Sequence, residues 1–326
     1  MKKIWKIWTV ILVAAATVLL TISTQYSKKE EISTDSYQYL IGVSLPNVIE
    51  PWLNNFVDVF TEKVSQDKKI NVIFRDAAGN PEKQIQDIET LMEYGIDILI
   101  VSPDGSDSLS SVLSEAFQKI PVILTGVGAG TEDYTCLIKS DDQKIGRLAG
   151  EYILNNLYEK NKKIVVFQGV EESPVSKQRL KGFQDSVQGT IPEEDITYYC
   201  GDWLRDRAEL RMKDYLISHD SADIVFAFND DMAYGAYQAC QQYRIEGKVH
   251  LIGVDGFEGE SAGLSLVDKG VLDATIQTPD FGGLSYEIAR KLLEGNKVEK
   301  NIIIQPELIL QGGAEKEFEN DRGTYL

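Results

Sequence analysis

Apolar residues along the chain follow two rhythms. Short, mostly apolar runs at 39–44, 70–74, 96–101 and 121–124 have the length of buried strands. Between them, apolar residues recur every three or four positions: over 53–64, over the stretch carrying Ile85, Ile88, Leu91 and Met92 on one face, and over 112–117. The punctuation agrees. Pro51 falls where its missing N–H is harmless at a helix start, Asn80-Pro81 opens the next helix, Gly95 stops it, and Ser102-Pro103-Asp104-Gly105 reads as a turn. The alternation then repeats, with helices over 145–157, 175–187 (Ser173 as cap, Pro174 early), 205–217 and 283–293, and strands over 164–167, 196–199, 224–228, 249–254 and 271–276. Strand–helix alternation predicts right-handed βαβ units and parallel sheets. Its recurrence over 326 residues predicts an α/β protein of two doubly wound lobes rather than one sheet.

One junction concentrates the chemistry. The apolar run 224–228 ends in Asn229, Asp230 and Asp231, followed by a helical pattern through Met232, Ala236 and Ala239. In open α/β sheets ligands bind at such strand–turn–helix junctions, outside the carboxyl ends of the strands. The Asn229 amide can donate and accept, which suits a hydroxyl; it can equally cap the helix. Asp255 ends another strand. Trp52 stands at the mouth of the first strand, as core or as a platform for a ligand face.

The N-terminus obeys different rules. Lys2, Lys3 and Lys6 precede an uncharged, mostly apolar run over 7–22, the pattern of an export signal. The run is long for a cleaved signal and short for a membrane span, with Trp5 and Trp8 at its edge and no Cys after it for a lipid anchor. A cleaved signal peptide and an uncleaved signal-anchor over 1–24 both remain open, the latter favoured. Either puts the body outside the cytoplasm. Residues 25–37 read as a polar tether and 315–326 as an acidic tail.

Composition then removes several function classes. Net charge is −18, and the first thirty residues hold five Lys against one Glu, so the body is more acidic still. Such a surface repels phosphate backbones and argues against a nucleic-acid partner. Cys136, Cys200 and Cys240 are far apart with no C-x-x-C, which gives neither a zinc site nor a disulfide framework. The two histidines, His219 in a polar turn and His250 at a strand start, sit in no nucleophile or metal motif. Gly126, Gly128 and Gly130 form GVGAG after a strand, but the third glycine comes too early for a dinucleotide loop. No cofactor or metal is expected.

The ordered segments GNPEKQIQDIETLMEYGIDILIVSP, SDDQKIGRLAGEYI, SKQRLKGF, VFAFNDDMAYGA, IGVDG and ATIQTP, within about 39–310, resemble the periplasmic sugar-binding proteins of the ribose/galactose type, the type I solute-binding fold. The resemblance implies two Rossmann-like lobes joined by a three-strand hinge and closing on a ligand. It implies an N-terminal lobe of 38–140 plus 278–306 and a C-terminal lobe of 141–277 plus 307–314. It further implies Arg179, Asn229, Asp255 and Gln277 as contacts to sugar hydroxyls, with Trp52 and Trp203 on the ring faces. Planar bidentate groups suit a sugar's polar edge, and aromatic plates suit its C–H faces. The chain departs from the family at Thr125-Gly126-Val127, where an Asp-Arg pair is frequent, and at Glu50, where an Asn is frequent. Glu50 therefore joins the site as an added carboxylate in a roomier cleft. A pentose other than ribose, a hexose or derivative, an inositol-like polyol or a cationic sugar all remain open.

The expected function is non-enzymatic: capture of a monosaccharide or polyol and delivery to an ABC permease, by a monomer. The alternative is a membrane-anchored sugar sensor presenting its ligand to a histidine kinase or chemoreceptor. A LacI-type repressor would need a helix-turn-helix where this chain has its apolar segment. A glycosidase would need paired carboxylates, and Glu171-Glu172 and Asp230-Asp231 read as solvated caps.

Overall fold

The computed structural model describes residues 37–219, 222–259, 262–278 and 280–313. The signal or anchor segment, the tether up to residue 36 and the acidic tail lie outside them. Twelve strands form two six-stranded sheets among the described residues. In the first the order is β11-β5-β4-β3-β1-β2, made of β1 (Tyr39–Leu45), β2 (Ile70–Asp76), β3 (Ile98–Val101), β4 (Val122–Thr125), β5 (Cys136–Ser140) and β11 (Asn301–Ile304), all parallel. In the second the order is β12-β10-β9-β8-β6-β7, made of β6 (Ile164–Gln168), β7 (Ile196–Cys200), β8 (Ile224–Ala227), β9 (His250–Asp255), β10 (Ala274–Gln277) and the antiparallel edge β12 (Glu307–Leu310).

The sequence rhythm explains the layers. All four residues of β3, β4 and β8 are buried, as strands covered on both faces must be. The first sheet carries one core on each side. Helices α1 (Pro51–Ser65) and α9 (Phe281–Leu293) cover one face through Phe56, Phe60 and Tyr286, while α2 (Pro81–Glu93) and α3 (Ser110–Phe117) cover the other through Ile88, Leu91 and Leu113. The second sheet packs α4 (Asp142–Tyr152), α5 (Pro174–Val187), α6 (Arg205–Ser218), α7 (Asp230–Gln242) and the short α8 (Gly263–Asp268) around Phe167, Phe183 and Phe226. The chain passes between the sheets three times: after β5, after β10 and between β11 and β12.

Several local expectations change. The helix expected over 145–157 begins three residues earlier, at Asp142, and its last turn, Ile153–Leu157, is π-helical. Ser173 stands at the N-cap of α5 but makes no side-chain cap bond. The strand expected over 271–276 runs Ala274–Gln277, because α8 and its exit turn occupy the residues before it. Asp230 is no solvated cap: it is buried, and its carboxylate accepts from Thr275 Oγ1 and Gly256 N, both at 2.8 Å. The histidines hold structure, His219 stacked on Tyr215 and His250 Nδ1 at 2.8 Å from Asp273. All three cysteines are free, Cys136 and Cys240 in the core. No described helix is long and apolar enough to cross a membrane.

Candidate ligand-binding site

A cavity of about 270 Å³ lies between the two sheets, at the carboxyl ends of their strands. From the first lobe it receives Glu50 and Trp52 after β1, Ser102 and Asp104 after β3, and Gly126 after β4. From the second it receives Trp203 after β7, Asn229 after β8, Asp255 at the end of β9 and Arg179 from within α5. The chain crossings add Ser140, Asp142, Thr278 and Phe281.

Arg179 is the centre of this arrangement. It is buried, with Nε donating to Asp142 Oδ1 at 2.9 Å, Nη1 donating to the Phe228 carbonyl, and its guanidinium 5.7 Å from the Trp203 ring centroid. Of its five N–H groups three remain for a guest. Close packing of α4 on α5 sets its position: a Cβ on Gly146 would lie 1.9 Å from the Arg179 carbonyl oxygen. Trp203 lies flat because Gly169 leaves room, since a Cβ there would meet the indole at 2.1 Å; Trp203 itself adopts a left-handed backbone, φ 67°.

Asn229 caps a helix and also borders the cavity. Its Oδ1 caps α7 by accepting from Met232 N at 2.8 Å, and its Nδ2 donates to Trp203 O at 2.9 Å, yet the side chain lines the cavity with one N–H to spare. Asp255 is 7% exposed, holds φ 115°, and its carboxylate makes no hydrogen bond among the described residues. Burial pushes its carboxyl well above the usual carboxylate range; Arg179 opposes this, while Asp230, Asp231 and Asp142 add to it. Behind it, Asp230 fixes the turn by holding Gly256 N, and burial pushes the Asp230 carboxyl up to about 7. Burial also raises Asp142 against the pull of Arg179, and raises Glu50 to about 7 against a smaller pull from Trp52.

Six of the seven expected residues therefore meet at one cavity: Glu50, Trp52, Arg179, Trp203, Asn229 and Asp255. Gln277 does not line it. As the last residue of β10 it points its amide at the Gly256 carbonyl, 3.4 Å away, and the next residue, Thr278, faces the cavity instead. Trp52 is a cavity wall, edge-on to Phe281 with centroids 5.6 Å apart. The GVGAG loop contributes Gly126, where an added Cβ would stand 3.4 Å from the Trp52 ring. Sequence reasoning missed Asp142, Ser102, Ser140 and Thr278. Each follows or ends a strand, a placement that ordinary turn residues share. Among the described residues no cluster suits a metal ion.

A family model for the periplasmic binding protein domain matches residues 41–297. The chain belongs to this family, as a type I solute-binding protein of the ribose/galactose type. Among relatives of the family, the ribose import binding protein of Salmonella typhimurium is 30% identical over 303 residues, covering 92% of this chain and 97% of that protein. Its Bacillus subtilis counterpart is 29% identical, covering 88% and 96%. In structure, the fructose-binding periplasmic domain of a hybrid two-component system superposes with a TM-score of 0.73 at 30% identity, covering 86% of this chain and 93% of that one. Solute-binding proteins of this family bind rather than transform their ligands, and the family places such chains outside the cytoplasm.

Proposed function

We propose that this protein captures one monosaccharide or related polyol between its lobes, outside the cytoplasm, and hands it to an ABC permease. The observation that carries this reading is the pairing, in a cavity walled by Trp52 and Trp203, of Arg179, with three N–H groups free among the described residues, and the buried Asp255, whose carboxyl has no hydrogen-bond partner among them. A polyol supplies what each lacks: oxygen acceptors for the guanidinium, O–H donors for the carboxylate and C–H faces for the indoles. The roles of Glu50, Asn229 and the two tryptophans as contacts, and lobe limits of 38–140 with 278–306 and 141–277 with 307–314, belong to this reading. So does a monomer tethered by, or released from, its N-terminal segment.

A second reading is a sugar sensor that presents its ligand state to a histidine kinase or chemoreceptor. The similarity to a periplasmic domain of a two-component system favours it, as does the absence of a Cys after the N-terminal apolar run. Titration calorimetry against monosaccharides and inositols tests what both readings share; a panel with no binder contradicts them. Gene deletion separates them. Lost uptake of the ligand marks transport, and intact uptake with lost induction marks sensing.

A further inference from the structure

Five helices, α1, α4, α5, α7 and α9, begin at the cavity or one residue from a residue that lines it. Each such end carries roughly half a positive charge and favours anions. Three of these ends are already occupied. Asp141 Oδ1 accepts from Lys144 N at the start of α4, Asn229 Oδ1 from Met232 N at α7, and Asp280 Oδ1 from Gly283 N at α9. Two are not: at α5 the N-cap Ser173 makes no cap bond and lines the cavity with a neutral hydroxyl, and at α1 the N-cap Glu50 makes none and lines the cavity with a carboxyl. Its charge thus decides whether that end meets a guest as a donor cradle or as an anion.

The other charged groups lining the cavity weigh the same way. Asp104, Asp142, Glu172 and Asp255 are acidic, Arg179 is the one base, and no Lys or His lines it among the described residues. Arg179 is partly neutralised by Asp142. Resting on the reading above, we propose that Glu50 makes the cavity a charge filter, admitting uncharged polyols and excluding sugars that carry a carboxylate or phosphate. Burial, which holds the Glu50 carboxyl near 7, makes the filter weaker in acid and stronger in base. Asp104, Asp142, Glu172, Arg179 and Asp255 are the other charged groups that line the cavity.

The test is calorimetry on the full chain with matched pairs: glucose and glucuronate, galactose and galacturonate, ribose and ribose 5-phosphate. For the pair whose neutral member binds, the anionic member is expected to bind about 100-fold weaker at about pH 8, the scale of one unrelieved like-charge contact. In Glu50→Gln at that pH, and in the native chain at about pH 6, the gap for a uronate is expected to narrow about tenfold. Thermal denaturation of Glu50→Gln confirms that the variant is folded. An anion that binds within about threefold of its neutral partner overturns the filter. A gap unchanged in a folded Glu50→Gln removes Glu50 from it. If only an anionic member binds, the filter fails while the solute-binding reading stands; if no sugar or polyol binds at all, both fall.

Discussion

Arg179 shows how much one side chain can hold in place. It ties α5 to Asp142 on α4 and to the Phe228 carbonyl before α7, and still presents N–H groups to the cavity. Lysine would keep the charge but lose the planar fork. Arg179→Lys is therefore expected to weaken sugar binding by about ten- to a hundredfold, read by calorimetry, because hydrogen bonds to both Asp142 and the guest cannot survive together. Glu50 gives a pH signature. Its folded carboxyl titrates near 7, above its ordinary value, so the native state holds that proton more tightly than the unfolded chain does. Stability from this group is full below the ordinary carboxylate range and is lost as pH rises through about 7. The Tm of the native chain is expected to fall relative to Glu50→Gln between about pH 5 and about pH 8; parallel Tm curves would refute the assignment. At this scale Asn229 and Asp255 could be read from their place at strand ends, whereas Arg179, an ordinary residue for a helix, and Trp203 were legible only through the family resemblance. Gln277 turns its amide to the Gly256 carbonyl while the next residue, Thr278, lines the cavity, because successive residues of a strand face opposite sides and sequence alone leaves the register open by one.

Helix contacts set the site's precision. Gly146 on α4 lets α5 approach so closely that a Cβ there would sit 1.9 Å from the Arg179 carbonyl and 2.7 Å from Phe183 N, both backbone atoms that cannot step aside. Gly150, one turn further, faces the Ser186 hydroxyl, which can rotate away. Gly146→Ala is expected to cost about 1–3 kcal/mol and to weaken binding by displacing Arg179, whereas Gly150→Ala should cost less and leave affinity nearly unchanged; chemical denaturation and calorimetry check both. The strands and long helices were readable because their rhythms differ so plainly. Helix α8 was not, being six residues long within a stretch whose apolar residues also suit a strand. The late strands β11 and β12 are four residues each and half exposed, so their patterns carry little signal.

For the molecule as a whole, the two lobes meet across the mouth of the cavity. Gly105, after β3 and with φ 89°, lies against Pro174 at the start of α5, where a Cβ would come within 2.5 Å of Pro174 Cγ. Gly105→Ala should hold the lobes apart, lowering affinity about tenfold by depopulating the closed form, with a larger radius of gyration by small-angle scattering when the ligand is present. Two doubly wound lobes followed from the repeated alternation of elements, whereas the sharing of the last strands between the sheets depends on contacts between residues far apart in sequence. The central claim is that Arg179 and Asp255 hold a polyhydroxylated guest between those lobes. Calorimetric titration of the tightest-binding sugar into the native chain and into Arg179→Ala and Asp255→Ala tests it most directly. One site per chain is expected in the native protein, with a loss of about a hundredfold or more in each folded variant. Undiminished binding in both variants would contradict it.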